Sequence, residues 1–179
     1  KMEVWKNEIF QISRYFGVSC GNVTLDEQFR IPCLTVKDGN KVKGIATIAK
    51  YIAKNCKQQN GILGASLEDQ ANVDQWLEFR SSRLDRCGTE KDLSSVLKEL
   101  NSYLSSRTFL VGSSVTLADL LMFYGLHSVY SDLSYSDKQR YMHLSRWFRM
   151  MQLTSGVKQK LETIPFQRNL IYPCHGVAH

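Results

Sequence analysis

Four times in its second half the chain sets a hydroxyl residue three positions before an acid or amide, at the head of an apolar-periodic run. The pairs are Ser66 with Asp69, Thr89 with Asp92, Thr116 with Asp119, and Ser136 with Gln139. In a capping box the hydroxyl accepts from the backbone N–H three residues on, while the acid or amide reaches back to the cap N–H. Each pair predicts a helix start, and together they make residues 66–168 an all-helical unit. The first helix is expected from Ser66 to about Cys87, and the fourth from Ser136 to Met151. The second carries Leu93, Val96, Leu97, Leu100, Tyr103 and Leu104 at core spacing. The third is apolar nearly all round from Leu117 to Leu126, which predicts a central, buried helix. Its only charge, Asp119, fits a structural role: a carboxylate at the helix start, favoured by the dipole. Gly125 would let a neighbouring helix approach closely.

Residues 1–58 read differently. Glu3 to Phe16 has an imperfect helical pattern closed by Gly17. Val23 to Leu25 and Cys33 to Val36 are short, β-branched strand candidates. Asp38-Gly39-Asn40 is a turn signal, and Lys41 to Lys43 can return as the second arm of a hairpin. Ile45 to Cys56 then predicts a helix with Ile45, Ile48, Ala49, Ile52 and Cys56 on its apolar face, and Lys50, Lys54 and Lys57 opposite. Residues 59–65 read as a linker and 169–179 as a tail. The fold class is α+β.

Charge narrows the partners. The 179 residues carry a net charge of +6, which invites an anionic partner. Residues 1–62 hold ten Lys/Arg against five Asp/Glu, residues 63–130 six against nine, and residues 131–179 seven against three. A nucleic-acid face would more often show one clustered basic stripe. No segment reaches the roughly 20 apolar residues of a membrane span, and no signal peptide is visible at the N-terminus. The five cysteines (Cys20, Cys33, Cys56, Cys87, Cys174) have no CxxC pairing, which argues for reduced thiols rather than a disulfide framework or zinc site. A soluble cytoplasmic chain, also nuclear on the resemblance given below, is expected. There is no P-loop, no GxGxxG and no Ser/His/Asp set. His127 reads as a hydrogen-bonded boundary side chain, and His175 and His179 lack metal-ligand spacing. No cofactor and no metal is expected.

Three motifs carry a resemblance to the glutathione-transferase-like superfamily. Ile31-Pro32-Cys33-Leu34 resembles its proline loop, Val42 to Ala53 the strand-to-helix segment after it, and Phe109-Leu110-Val111-Gly112 through Asp119 the capping motif of its helical domain. The resemblance implies a cis proline at Pro32, a shortened thioredoxin-like N-terminal domain and an all-helical C-terminal domain. Further runs tighten it: Gly44–Ala49, Trp76–Arg80, Leu100–Leu104, Thr116–Leu121, Tyr124–His127 and Ser145–Phe148. These are similar to the auxiliary scaffold proteins of the multi-aminoacyl-tRNA-synthetase complex, over about Gly17 to Tyr172.

A transferase would need a Tyr, Ser or Cys on a first strand to stabilise the glutathione thiolate, and an acidic-Ser pair for the γ-glutamyl group. The chain opens in a helix, and Gly44 and Ile45 stand where the acidic-Ser pair belongs. An unpaired zwitterion there would cost several kcal/mol, on the order of a lost charged hydrogen bond or more. Cys33 and Cys20 have no neighbouring His and no helix N-terminal signal of a reactive thiol, so buried, inert thiols are expected. The expectation is a non-catalytic scaffold, with a divergent glutathione transferase or a tRNA-binding module as alternatives. The resemblance implies two docking faces. One, with Lys50, Tyr51, Ala53, Lys54 and Arg80, would meet the glutathione-transferase-like domain of methionyl-tRNA synthetase. The other, with Met142, Arg146, Arg149 and Met150, would meet that of glutamyl-prolyl-tRNA synthetase, Arg146 facing an acid. Met and Arg together on an exposed helix face suit protein contact. Nuclear roles in the DNA-damage response are implied by the resemblance alone.

Overall fold

The structure, a computed structural model, describes residues 2–166 apart from 27, 30, 37, 38 and 57–60. Asp38, Lys57, Cys174, His175, His179 and the 169–179 tail lie outside the described residues.

The chain enters as helix α1 (Met2–Tyr15), which buries Ile9 and Ile12 completely. Gly17, at φ 62°, stops it: its N–H donates to the Arg14 carbonyl, and Val18 N–H to that of Ser13. Three antiparallel strands follow in the order β1-β2-β3: β1 (Val23–Leu25), β2 (Pro32–Thr35) and β3 (Lys41–Lys43). Val23 lies opposite Leu34, and Leu34 opposite Val42. The hairpin between β2 and β3 closes on Val36 N–H to the Asn40 carbonyl at 2.9 Å, with Gly39 at φ 77°.

Pro32 opens β2, the strand position that tolerates a residue without N–H. Contrary to the expectation from the proline loop, the Ile31–Pro32 bond is trans. The extended backbone is fully used there: the Ile31 carbonyl accepts from Asp26 N–H at 2.9 Å and the Pro32 carbonyl from Gly44 N–H at 2.8 Å. That second bond hands the chain to α2 (Ile45–Lys54), whose N-terminus has no side-chain cap. It ends two residues before the expected Cys56, because Asn55 turns its amide onto the Tyr51 carbonyl.

The helical part bears out three of the four boxes. Ser66 and Asp69 open α3 (Leu67–Phe79), Thr89 and Asp92 open α4 (Glu90–Tyr103), and Thr116 and Asp119 open α5 (Leu117–Asp132). The fourth start is elsewhere. Ser134 accepts from Asp137 N–H at 3.1 Å and opens a short α6 (Tyr135–Arg140). The expected helix 136–151 breaks at Tyr141, and α7 (Met142–Leu153) begins anew. Its free N–H groups on His143 and Leu144 are capped by Asn101 Oδ1 of α4, at 2.9 and 3.1 Å. The expected helix from Ser66 to Cys87 also breaks, into α3 and a π-helical turn, Arg80–Leu84.

Helix α5 is central as expected, with Leu117 to Tyr124 buried without interruption. It packs against α1, α2 and α3 on one side and α7 on another. One hydrophobic cluster runs from Ile9 and Ile48 through Leu121 and Phe123 to Trp147 and Phe148. No helix among the described residues is long and apolar enough to cross a membrane.

Candidate protein-interaction surfaces

Two buried polar nodes hold the surfaces in place. At the first, Asp119 is 0% exposed and accepts four hydrogen bonds. The donors are Leu110 N–H (2.9 Å), Thr116 N–H (3.0 Å), the Thr116 hydroxyl (2.8 Å) and Trp147 Nε1–H (2.9 Å). Burial pushes its carboxyl above the ordinary value, against the pull of those donors. One side chain thus ties the start of α5 to the loop before it and to the inner face of α7.

The second node was not foreseen. Arg80, expected at a docking face, is 2% exposed. Its guanidinium reaches Glu8 of α1 at 3.1 Å, Asp85 at 2.9 Å and the Leu121 carbonyl at 3.2 Å. The space it fills is the one left by Gly125, where a Cβ would overlap the guanidinium. The glycine therefore admits a side chain rather than a neighbouring helix. Ala53 is likewise 0% exposed and packs in the core. Neither residue offers a side chain to a partner, and both leave the candidate set.

What remains of the first face is Lys50, Tyr51 and Lys54 on the outer side of α2. Lys50 crosses to Asp74 of α3 at 2.8 Å, a partly exposed pair worth about 0–1 kcal/mol. Tyr51 is 38% exposed and borders a cleft of about 380 Å³ with Val36, Ile52 and Asn55. Lys54 is exposed, and Lys57 lies outside the described residues.

The second face is better formed. On α7 the inner stripe of Leu144, Trp147, Phe148 and Met151 is buried, with Tyr141 just before it. Met142, Arg146, Arg149 and Met150 fall outward, with Met142 61% exposed. They line a cleft of about 430 Å³ that is completed by Lys138, Leu153 and Phe166. Leu153, 77% exposed, was missed although it continues the outward spacing of 142, 146, 149 and 150. Phe166 comes from the far end of the chain, and no local signal marks it. Arg146 does more than face outward. One terminal nitrogen donates to the Leu104 and Arg107 carbonyls at 2.6 and 2.8 Å, closing the turn Leu104–Ser106 after α4. The fork is thereby held in place at the outer surface of α7.

The residues around the transferase-like positions are used internally. Cys33 is 3% exposed, and the Ile31 and Pro32 carbonyls are already bonded within the fold. Gly44 at φ 87° supplies neither carboxylate nor hydroxyl beside α2. His127 bonds the Glu162 carbonyl through Nε2 at 3.0 Å, the boundary role expected of it.

Residues 69–155 match the family model described as nuclear-export cofactor Arc1p. The chain is 36% identical to mouse (Mus musculus) eukaryotic translation elongation factor 1 epsilon-1 over 166 residues, 92% of this chain and 95% of that protein. It is 33% identical over 135 residues to the bifunctional glutamate/proline–tRNA ligase of Cricetulus griseus, covering 74% of this chain and 9% of that enzyme. Among solved structures, the glutathione-transferase-like domain of elongation factor 1-gamma from Saccharomyces cerevisiae superposes with a TM-score of 0.71. That match is 16% identical and covers 93% of this chain and 92% of the other, so it speaks for the fold alone.

Proposed function

Because the chain belongs to the family of eukaryotic translation elongation factor 1 epsilon-1, we propose that it is a non-catalytic adaptor of the multi-aminoacyl-tRNA-synthetase complex. On this proposal it joins the glutathione-transferase-like domain of methionyl-tRNA synthetase, at the α2 face, to that of glutamyl-prolyl-tRNA synthetase, at the α7 face. The observation that carries it is the outward stripe of α7, where Met142, Arg146 and Arg149 line one cleft and Arg146 is pinned from behind. Methionine adapts its shape to a partner, and a fixed guanidinium can take a carboxylate in two parallel bonds. Lys50, Tyr51 and Lys54 serve the other face, with Lys50 exchanging or sharing Asp74 on docking. The site is cytoplasmic, with a nuclear role following the family resemblance.

Three features support a role without catalysis. The thiol nearest the proline is buried, the first turn of α2 has no acid and no side-chain cap, and the proline-loop carbonyls are taken. Size-exclusion chromatography with each synthetase domain, alone and together, tests the proposal. A ternary peak larger than either binary peak is expected. Mutual exclusion of the two domains would defeat the two-face arrangement. Retention on immobilised glutathione would favour a divergent transferase, and steeply salt-dependent tRNA binding without partners would favour a tRNA module.

A further inference from the structure

The flank of α1 carries a groove that adjoins the cleft beside Tyr51 along residues 18–21 and otherwise lies apart from both docking faces. It lies between α1 and residues 18–23, has a volume of about 420 Å³, and is lined by Lys6, Phe10, Ser13, Arg14 and Val23 among others. Lys6, Phe10 and Arg14 are spaced four apart and so share one side of the helix. Phe10 is 57% exposed, and the Arg14 guanidinium sits 5.7 Å from its ring centre. Neither Lys6 nor Arg14 has a carboxylate partner among the described residues. Ser13 is 3% exposed, and its hydroxyl has no hydrogen-bond partner.

The backbone beside the groove is also open. Strand β1 is the edge of the sheet. The Asn22 carbonyl accepts from Thr35 N–H at 3.2 Å, and Asp26 N–H donates to the Ile31 carbonyl at 2.9 Å. These even-numbered residues turn their backbone groups toward β2. By the alternation of an antiparallel pair, Val23 and Leu25 turn theirs outward, where they meet no partner among the described residues.

We propose that this groove takes an extended, acidic segment of a partner protein, which adds to β1 as a further strand and sets its carboxylates against Lys6 and Arg14. The occupant follows from the lining. A bare strand edge calls for a strand, two unpaired cations call for carboxylates, and exposed Phe10 calls for an apolar side chain between them. A phosphate polymer would meet the cations and leave the Val23 and Leu25 groups unpaired. A second copy of the chain would bring like charge to like charge, since residues 1–62 carry ten cations against five anions. The proposal goes beyond the synthetase adaptor: the groove meets the α2 cleft along residues 18–21, but Lys6, Phe10, Arg14 and Val23 belong to neither docking face.

The full chain, labelled with nitrogen-15, is titrated with the blocked heptapeptide Thr-Glu-Thr-Val-Thr-Glu-Thr, whose two carboxylates and central valine share one strand face, and with a counterpart carrying Lys in place of Glu. The acidic peptide is expected to bind, to protect the Val23 and Leu25 amides from exchange, and to weaken as salt rises. Lys6→Glu with Arg14→Glu, both on exposed side chains, should weaken it by about tenfold or more. Val23→Pro removes an edge N–H and should abolish the protection. Equal binding of the Lys-substituted peptide, or unchanged affinity in the charge-reversed variant, overturns the proposal. So does a ten-nucleotide oligothymidine that competes at this site, or a concentration-dependent dimer that Val23→Pro dissolves.

Discussion

Arg80 lies inside the molecule between two carboxylates, and one guanidinium cannot fully satisfy both. The Glu8 carboxyl is pushed up to about 7 from an ordinary 4.5. Burial is the main cause; Arg80 pulls the value down, and Asp85 pushes it further up. The proton is therefore held more tightly in the folded chain than in the unfolded one. Its contribution to stability is complete below about pH 4.5 and is lost as pH rises through about 7. Replacing Glu8 by Gln removes that titration while keeping a neutral hydrogen-bonding group. The melting temperature of the parent should fall relative to Glu8→Gln between about pH 5 and 8. Parallel curves, followed by circular dichroism, would exclude a proton at this node. This node was hidden in the sequence for a plain reason. A charged residue near the end of an amphipathic helix normally reads as solvated, and its partner Glu8 is 72 positions away.

At the scale of elements, α7 separates two arginines that look alike in sequence. Arg146 closes the turn after α4, whereas Arg149 is exposed and borders the cleft. Arg146→Ala should cost about 1 kcal/mol of stability through lost hydrogen bonds. Arg149→Ala should stay within about 0.5 kcal/mol. Both should weaken the partner at α7 by about tenfold or more and leave the α2 partner untouched. Urea melts paired with calorimetric titration check both halves, and loss of both partners together would count against separate faces. The capping boxes made most of this helical architecture legible, because each is a local contract between residues three apart. The box at Ser136 failed because Ser134 and Asp137 fit the same pattern two residues earlier. The break at Tyr141 could not be read locally, since the cap of α7 comes from Asn101 on another helix. Ala53 could have been placed: it follows Ala49 by four and Ile45 by eight, on the buried stripe of α2.

On the scale of the whole molecule, the sheet part and the helical part share one apolar cluster. Thermal unfolding should be a single transition, with calorimetric and van't Hoff enthalpies equal. Gly125→Ala, which evicts Arg80, should lower stability by about 3–5 kcal/mol, the cost of breaking a buried pair, without splitting that transition. Two resolved transitions in scanning calorimetry would mean that the parts fold separately. The net charge of +6 first suggested a phosphate polymer. The unpaired cations of α1 and the pinned Arg146 of α7 lie instead beside apolar side chains, as suits acidic protein surfaces. Helix α5 packs against α2 and against α7, so the backs of both outward faces rest on the same close-packed rod. Whatever sits on one face is held at a set distance and angle from whatever sits on the other. Such a joint behaves as a bracket rather than a tether: the local concentration one guest feels of the next is set by shape, with no slack chain to dilute it.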